Sequence, residues 1–154
     1  MPGAAREQII GQLIGERTSD LRPTVVLSPA LGGIVIGHEV GRALGVRAVF
    51  AERQDGALTL RRGFTLTDRD RVLVVEDVLT TGGSTRETME VATAAGAQIV
   101  GAASIVDRSG GSARFDVPFH ALFDIALPTY EPGECPLCAQ GLPVVKPGSK
   151  PVIV

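Results

Sequence analysis

The chain has 154 residues, of which 44% are hydrophobic and 21% are charged, a length and composition that indicate a single globular domain over residues 1–154. Its 15 basic and 17 acidic residues give a formal net charge of −2 and are well dispersed, which excludes an electrostatic nucleic-acid surface. No segment has the roughly 18 uninterrupted apolar residues of a membrane span, and the first residues lack the pattern of a secretion signal, so we expect a cytoplasmic protein.

The sequence pattern predicts alternating helices and strands. Ile9, Ile10, Leu13 and Ile14 recur at helical spacing and predict a helix within residues 1–22. Apolar runs predict strands at residues 24–28, 46–51, 71–76, 99–106 and 119–126, and the patterns between them predict helices at 33–44 and 84–95. The turn-rich segment 52–64 is predicted to be a mobile hairpin or loop, and the proline-rich tail 128–154 is predicted to run extended over the surface.

This order of elements predicts a Rossmann-like α/β fold. We expect an open parallel sheet of about five strands with helices on both faces, because parallel strands need crossover connections. Ligands of such sheets bind beyond the carboxyl ends of the strands, near a switch in strand order. The unusual segments 28–33, 76–84 and 107–111 all follow predicted strands, so they are expected to form one site at that edge.

The segment 72–84, VLVVEDVLTTGGS, carries the clearest chemistry. Two acids, Glu76 and Asp77, end a strand, and a turn rich in hydroxyls and glycine leads into a helix. Gly82 and Gly83 allow main-chain amides to approach a phosphate, and the positive end of the helix dipole favours an anion there. Carboxylates beside a phosphate are favourable where they face sugar hydroxyls or a bound Mg²⁺. A ribose 5-phosphate meets both conditions, whereas helix capping by the acids is the alternative.

The whole segment resembles the phosphoribosyl pyrophosphate (PRPP) signature of type I phosphoribosyltransferases. The resemblance implies that Glu76 and Asp77 bind the ribose hydroxyls and that Thr80 to Ser84 bind the 5′-phosphate. It also implies a catalytic role for both acids, with Asp77 stabilising the charge that develops at C1′. Mg²⁺ is the implied cofactor, bound through PRPP, with Asp77 as a candidate protein ligand.

Two further segments are similar to the orotate-specific members of this family. Residues 28–33, SPALGG, resemble the pyrophosphate loop, in which the peptide joining Ala30 to Leu31 is expected to be strained or cis. Arg108 follows a strand where those enzymes place an arginine on the base, and a guanidinium suits the carboxylate or carbonyl of orotate. The alternative for Arg108 is a surface residue that pairs with Asp107.

Segment 52–64 is similar to the catalytic loop of the same enzymes. In the family this loop closes over the site, often from the neighbouring subunit, and its cations meet the pyrophosphate. Arg53 is the strongest candidate for that role. Arg61 and Arg62 are either further pyrophosphate ligands or simply solvated cations.

The resemblance runs from about Pro23 to the C-terminus. The family usually begins with a longer hood over the base, which includes a lysine that contacts orotate, whereas here only one helix precedes the first strand. A short or missing hood implies a truncated form, a different grip on the base, or weak catalysis. The tail around Cys135 and Cys138 resembles one bacterial and archaeal branch of orotate phosphoribosyltransferases. Half of a zinc site is the alternative for this CxxC pair, but the sequence offers no second pair and no nearby histidine, so no metal site made by the protein alone is predicted.

The combined interpretation is an orotate phosphoribosyltransferase, a pentosyltransferase that makes orotidine 5′-phosphate and pyrophosphate in UMP biosynthesis. A homodimer with small-molecule substrates is expected, with no nucleic-acid or membrane partner. Two alternatives stay open: transfer to a purine or another pyrimidine, and a non-catalytic PRPP-sensing regulator. The predicted site comprises the catalytic residues Asp77, Glu76 and Arg53, the base-binding residues Thr80 and Arg108, and the PRPP-binding residues Glu76, Asp77, Val78, Leu79, Thr80, Thr81, Gly82, Gly83, Ser84, Ala30, Leu31, Gly32, Arg53, Arg61 and Arg62.

Overall fold

Four α-helices and six strands make up the residues that this computed structural model describes, which are 3–128, 130–131 and 133–142. In chain order they are α1 (Gly3–Thr18), β1 (Val25–Pro29), α2 (Gly33–Leu44), β2 (Arg47–Gln54), β3 (Ala57–Leu60), β4 (Arg71–Leu79), α3 (Gly83–Ala94), β5 (Gln98–Asp107), β6 (Phe119–Asp124) and α4 (Pro136–Ala139). A short 3-10 turn, Ser19–Leu21, follows α1. The predicted helices and strands are confirmed, with shifts of up to three residues at their ends.

The six strands form one sheet in the order β3-β2-β1-β4-β5-β6. Five of them are parallel, as predicted, and β3 is an additional antiparallel edge strand. The expected count of about five strands missed β3 because the turn between β2 and β3 folds a short, weakly alternating segment back along β2. Asp55 and Gly56 have φ values of 50° and 89°, the geometry of a two-residue hairpin turn. Segment 52–64 is therefore largely a hairpin, and its mobility stays a prediction.

Apolar side chains fill both faces of the sheet. The central strands β1 and β4 are continuous apolar runs, and their successive side chains point to opposite faces. On one face, Val25 and Val74 pack with Ala92 of α3. On the other face, Val26 joins Val40 of α2 and residues of α1. Helices on both faces, as predicted, thus hold the sheet edge that carries the polar loops.

The pairing of β4 with β5 contains a β-bulge. Val72 pairs with Ile99, whereas the next residue, Leu73, pairs with Gly101, so that Val100 is an extra residue on β5. Beyond this point the two strands stay in register to their ends, where Leu79 pairs with Asp107. The bulge therefore sets the register in which both strands reach the carboxyl edge.

The predicted tail 128–154 lies partly outside the described residues, which omit 129, 132 and 143–154. Its described part contains the four-residue helix α4. None of the described helices is both long and apolar enough to cross a membrane.

Candidate active site

The two predicted ligand loops meet where the strand order reverses, between β1 and β4. From β1 the chain continues through α2 to β2 on one side, whereas from β4 it continues through α3 to β5 on the other. The loops after β1 and β4 therefore leave the sheet in opposite directions and open a crevice between them. This crevice is the candidate active site.

The loop after β1 is fixed at both ends by main-chain hydrogen bonds. The Ala30 N–H donates to the Ala51 carbonyl of β2 at 2.8 Å, and the Ile34 N–H donates to the Leu31 carbonyl at 3.2 Å. The peptide joining Ala30 to Leu31 is cis, one of the two geometries, strained or cis, that the resemblance to the pyrophosphate loop implied. Leu31 is 82% exposed, so the turn between the two anchors is open to solvent.

Gly32 brings this loop directly against Asp77. A Cβ atom at position 32 would lie 2.8 Å from Asp77 Cγ and 2.9 Å from its Oδ1, closer than side chains tolerate. Only glycine permits this approach. Asp77 Oδ1 accepts the N–H of Val78 at 2.9 Å, and the carboxylate lines a cavity of about 240 Å³ between α1, α2 and β5. The acid is therefore open to a ligand at the point where the two loops meet.

Glu76 points to the face of the sheet opposite Asp77, because neighbouring side chains of a strand alternate. Glu76 is 8% exposed, and its carboxylate accepts hydrogen bonds from Ser84 Oγ at 2.6 Å and from Thr85 Oγ1 at 2.5 Å. Glu76 thus fastens the first turn of α3 to the end of β4. Contacts from Glu76 to the ribose and from Ser84 to the phosphate stay predictions, and each needs these hydrogen bonds to be shared or exchanged.

The loop from Thr80 to Gly83, here called the phosphate loop, presents polar groups at the start of α3. Thr80 and Thr81 are exposed, and Gly82 has a φ of 77°, a conformation that favours glycine. Among the described residues the Gly82 N–H has no hydrogen-bond partner, while the Gly83 N–H reaches Thr81 Oγ1 at 3.4 Å. The loop supplies the hydroxyl and amide donors that a phosphate needs, and phosphate binding itself stays a prediction.

The predicted catalytic cation Arg53 is held by groups of the protein. Its Nη2 lies 2.6 Å from Oε2 of Glu87 on α3, and its Nη1 donates to the Gly56 carbonyl. Both side chains of the ion pair are about half exposed, so water screens their attraction. Arg53 can therefore exchange Glu87 for an anionic ligand at little energetic cost.

The other two loop cations differ from each other. Arg62 makes a two-pronged contact with Glu52, from Nε at 2.8 Å and from Nη2 at 2.7 Å. Hydrogen bonding to Arg62 holds the pKa of the Glu52 carboxyl below its usual value. Arg61 forms no ion pair within the described part of the chain. Arg62 is thus partnered while Arg61 is solvated, and pyrophosphate binding by either one stays a prediction.

Arg108 begins the loop that joins β5 to β6, and its side chain is exposed. Its N–H donates to the Leu79 carbonyl at 2.8 Å, which ties this loop to the end of β4. The alternative pairing with Asp107 is absent from the described structure, because the Asp107 carboxylate instead accepts the N–H of Ser109 at 2.7 Å. The guanidinium of Arg108 is therefore available to a ligand near the crevice.

Two residues near the crevice were missed by sequence reasoning. Glu7 of α1 lines the same cavity as Asp77, and its Oε2 is buried without a partner among the described residues. The sequence did contain a signal for Glu7, because this acid lies on the helix face that carries the apolar residues Ile10 and Ile14. Arg86 stands in the first turn of α3, where the helix dipole disfavours a cation, and that unfavourable position was its signal.

Cys135 and Cys138 are free thiols at the start of α4. Hydrogen bonds from the Cys138 amide and thiol lower the pKa of Cys135, and the same thiol contact raises the pKa of Cys138. No group of three or more potential metal-ligating side chains occurs within the ranges that the structure covers. Within those ranges, the two thiols therefore have no further metal-ligating side chains beside them.

Comparison with known proteins connects this crevice to one family. The family model for the phosphoribosyl transferase domain matches residues 2–126. The orotate phosphoribosyltransferase of Carboxydothermus hydrogenoformans is 53% identical over 134 residues, which cover 87% of this chain and 70% of the relative. The orotate phosphoribosyltransferase of Caldanaerobacter subterraneus subsp. tengcongensis is 48% identical over 143 residues, which cover 93% of this chain and 75% of the relative.

Solved structures show the same architecture. Mycobacterium tuberculosis orotate phosphoribosyltransferase in complex with 5-phospho-α-D-ribosyl 1-diphosphate superimposes with a TM-score of 0.66 at 27% identity, over 77% of this chain and 73% of that one. Adenine phosphoribosyltransferase from Thermoanaerobacter pseudethanolicus gives a TM-score of 0.70 at 15% identity, over 80% of this chain and 83% of that one. The second likeness is a likeness of fold alone.

Proposed function

The chain belongs to the phosphoribosyltransferase family, and on that premise we propose that it is an orotate phosphoribosyltransferase. It transfers the 5-phosphoribosyl group of PRPP to N1 of orotate and gives orotidine 5′-phosphate and pyrophosphate. Identity of about half across most of the chain to enzymes with this activity carries the choice of orotate. The close approach of Gly32 to Asp77 supports this crevice as the place of the reaction, because it brings together the loop after β1 and the end of β4.

The proposed reaction breaks the bond from C1′ to the pyrophosphate oxygen, forms a bond from C1′ to N1 of orotate, and releases the N1 proton to solvent. Positive charge develops at C1′ between these events, so a nearby carboxylate stabilises the transition state. Asp77 is the candidate for this role, because its carboxylate lines the crevice and, among the described residues, accepts a hydrogen bond only from the main-chain N–H of Val78. Glu76 supports the site from the other face by holding Ser84 and Thr85.

Two exposed arginines are the candidates for pairing with the anionic groups of the two substrates. We propose that Arg53 releases Glu87 and pairs with the departing pyrophosphate, which lowers the energy of the leaving group. Arg108, which is exposed and unpaired within the described residues, is the candidate for the carboxylate or a carbonyl of orotate. The purine alternative lacks a carboxylate for Arg108 to pair.

The donor set of the crevice fits Mg²⁺, which prefers oxygen ligands and keeps several of its waters. The Asp77 carboxylate lines an open cavity and would hold the ion together with oxygens of PRPP. Bound Mg²⁺ would neutralise charge on the pyrophosphate as it leaves. We further propose a homodimer in which segment 52–64 reaches the neighbouring site, and a cytoplasmic location in keeping with the two free thiols.

The activity is tested by following the loss of orotate absorbance with PRPP and Mg²⁺. The same assay with uracil, adenine and hypoxanthine tests the alternative bases, and calorimetric titration with PRPP and Mg²⁺ measures binding without turnover. Of the four bases, we expect only orotate to be turned over. Turnover with a purine would move the assignment to another member of the family, and PRPP binding without turnover of any base would support the sensor.

A further inference from the structure

Arg86 joins the phosphate loop to the loop between β5 and β6. Its side chain turns back over the start of α3, as long helical side chains do. Nη1 donates to the Thr81 carbonyl at 2.9 Å, and Nη2 donates to the Arg114 carbonyl at 3.0 Å. One planar guanidinium therefore fixes the spacing of two loops, one of which contacts Arg86 through a residue 28 positions further along the chain.

The bond to Thr81 also orients the peptide that follows. In a trans peptide the carbonyl and the next N–H point in opposite directions, so a carbonyl held by Arg86 turns the Gly82 N–H away from Arg86. No hydrogen-bond partner for that N–H occurs among the described residues. Any side chain at position 82 would also meet Arg86, because a Cβ there lies 3.1 Å from Nη1. Arg86 thus aims a free amide into the phosphate loop.

The second loop is held by the same side chain. The Arg86 guanidinium lies 5.2 Å from the ring centroid of Phe115, within the range of a cation–π contact. This loop starts at Arg108, whose N–H is bonded to the end of β4. The loop that carries the candidate base-binding arginine is therefore anchored twice, once to β4 and once, through Arg86, to α3 and the phosphate loop.

We propose that Arg86 is a positioning residue that sets the phosphate loop and the Arg108 loop at the separation that one phosphoribosyl group and one base require. This inference rests on the proposed function but concerns a residue outside the PRPP signature. Arg86 touches neither substrate in this role. It acts through the carbonyls that it holds.

The test compares Arg86→Lys and Arg86→Gln with the wild-type enzyme. Lysine keeps the charge but concentrates it at one point, so it cannot hold both carbonyls in the fixed geometry of a guanidinium fork. Glutamine removes the charge. Arg69→Gln is the matched control, because Arg69 is also exposed and its side chain makes no ion pair within the described structure.

We expect Arg86→Gln to raise KM for PRPP by about tenfold, the equivalent of about 1.4 kcal/mol, while kcat changes much less. Arg86→Lys should recover part of this loss, and Arg69→Gln should match the wild type. If Arg86 only stabilised the helix, Arg86→Gln would lower the melting temperature, but KM for PRPP measured well below that temperature would stay unchanged. Wild-type KM for PRPP in Arg86→Gln would overturn the proposal. If that variant fails to fold, unchanged KM in Arg86→Lys would do the same.

Titration with PRPP and Mg²⁺ separates this inference from the proposed function. A wild-type protein that binds PRPP but does not turn over orotate would contradict the proposed function. The PRPP affinities of the wild type and the Arg86 variants would still test the positioning role in that case. Equal affinities would refute it, and weaker binding in the order wild type, Arg86→Lys, Arg86→Gln would support it.

Discussion

Gly32→Ala is expected to disable the site while the fold remains intact. The new Cβ would lie 2.8 Å from Asp77 Cγ and closer still to Oδ2, and ordinary contact begins at 3.4 Å, so the carboxylate has to retreat by more than 0.6 Å, which is 3.4 minus 2.8. A misplacement of about 1 Å at a reacting centre costs about 100-fold in rate. We therefore expect kcat/KM for PRPP to fall by roughly 10- to 100-fold.

The same substitution is expected to leave stability nearly unchanged. Gly32 has φ −57° and ψ −42°, which alanine adopts readily, and such a change stabilises a protein by about 0.4–1 kcal/mol through the unfolded chain. The displacement of the Asp77 carboxylate by the new Cβ costs free energy and offsets part of that gain. Gly15→Ala on α1 is the control, because its Cβ meets Ala43 at 3.2 Å, away from the crevice.

Orotate absorbance gives kcat/KM for both variants, and urea unfolding gives their stability. The expected pattern is a slow, stable Gly32→Ala enzyme beside a fully active Gly15→Ala enzyme. Wild-type kcat/KM in Gly32→Ala would refute the reasoning, because it would mean that the position of Asp77 against this loop does not matter.

Asp77→Asn should lower kcat in the orotate assay, and Arg53→Ala should slow the chemical step seen in single-turnover kinetics; unchanged rates in both would remove the proposed mechanism. Glu87→Gln should lower KM for PRPP, because it removes the carboxylate that competes for Arg53, with little change in melting temperature; a higher KM would instead make Glu87 a support for Arg53. Although burial alone would raise it, the Arg47 guanidinium holds the pKa of Asp70 below its usual value. Asp70 therefore contributes stability above its unfolded pKa of about 3.9, and that contribution is lost as pH falls through the lower folded value. The stability difference between wild type and Asp70→Asn, measured by urea unfolding, should be constant above about pH 5 and shrink below pH 4.

The parts of the site that are contiguous in sequence were predictable. The segment 72–84 holds a strand, two acids and a glycine turn in one run, so that its local pattern indicates both its structure and its chemistry. The loop 28–33 could be recognised by its resemblance to the pyrophosphate loop, which also implied a strained or cis peptide at Ala30. Their meeting at one edge followed from the general behaviour of parallel sheets.

Features that depend on contacts distant in sequence were not predictable. The pairing of Arg53 with Glu87 joins β2 to α3, and the bridge from Arg86 to Arg114 joins two loops. The hydrogen bonds of Glu76 depend on where α3 begins relative to β4. No local pattern encodes such distances, because they are set by how the helices pack on the sheet.

The extra residue Val100 in β5 has an effect several residues away from its own position. Adding or removing one residue in a strand reverses the face that every later residue occupies. Without the bulge, the side chains that follow Val100 in β5 would exchange faces of the sheet, including that of Asp107 at the carboxyl edge. A single-residue insertion or deletion between this bulge and Asp107 should therefore turn the Asp107 carboxylate to the other face of the sheet, away from the N–H of Ser109 that it now holds.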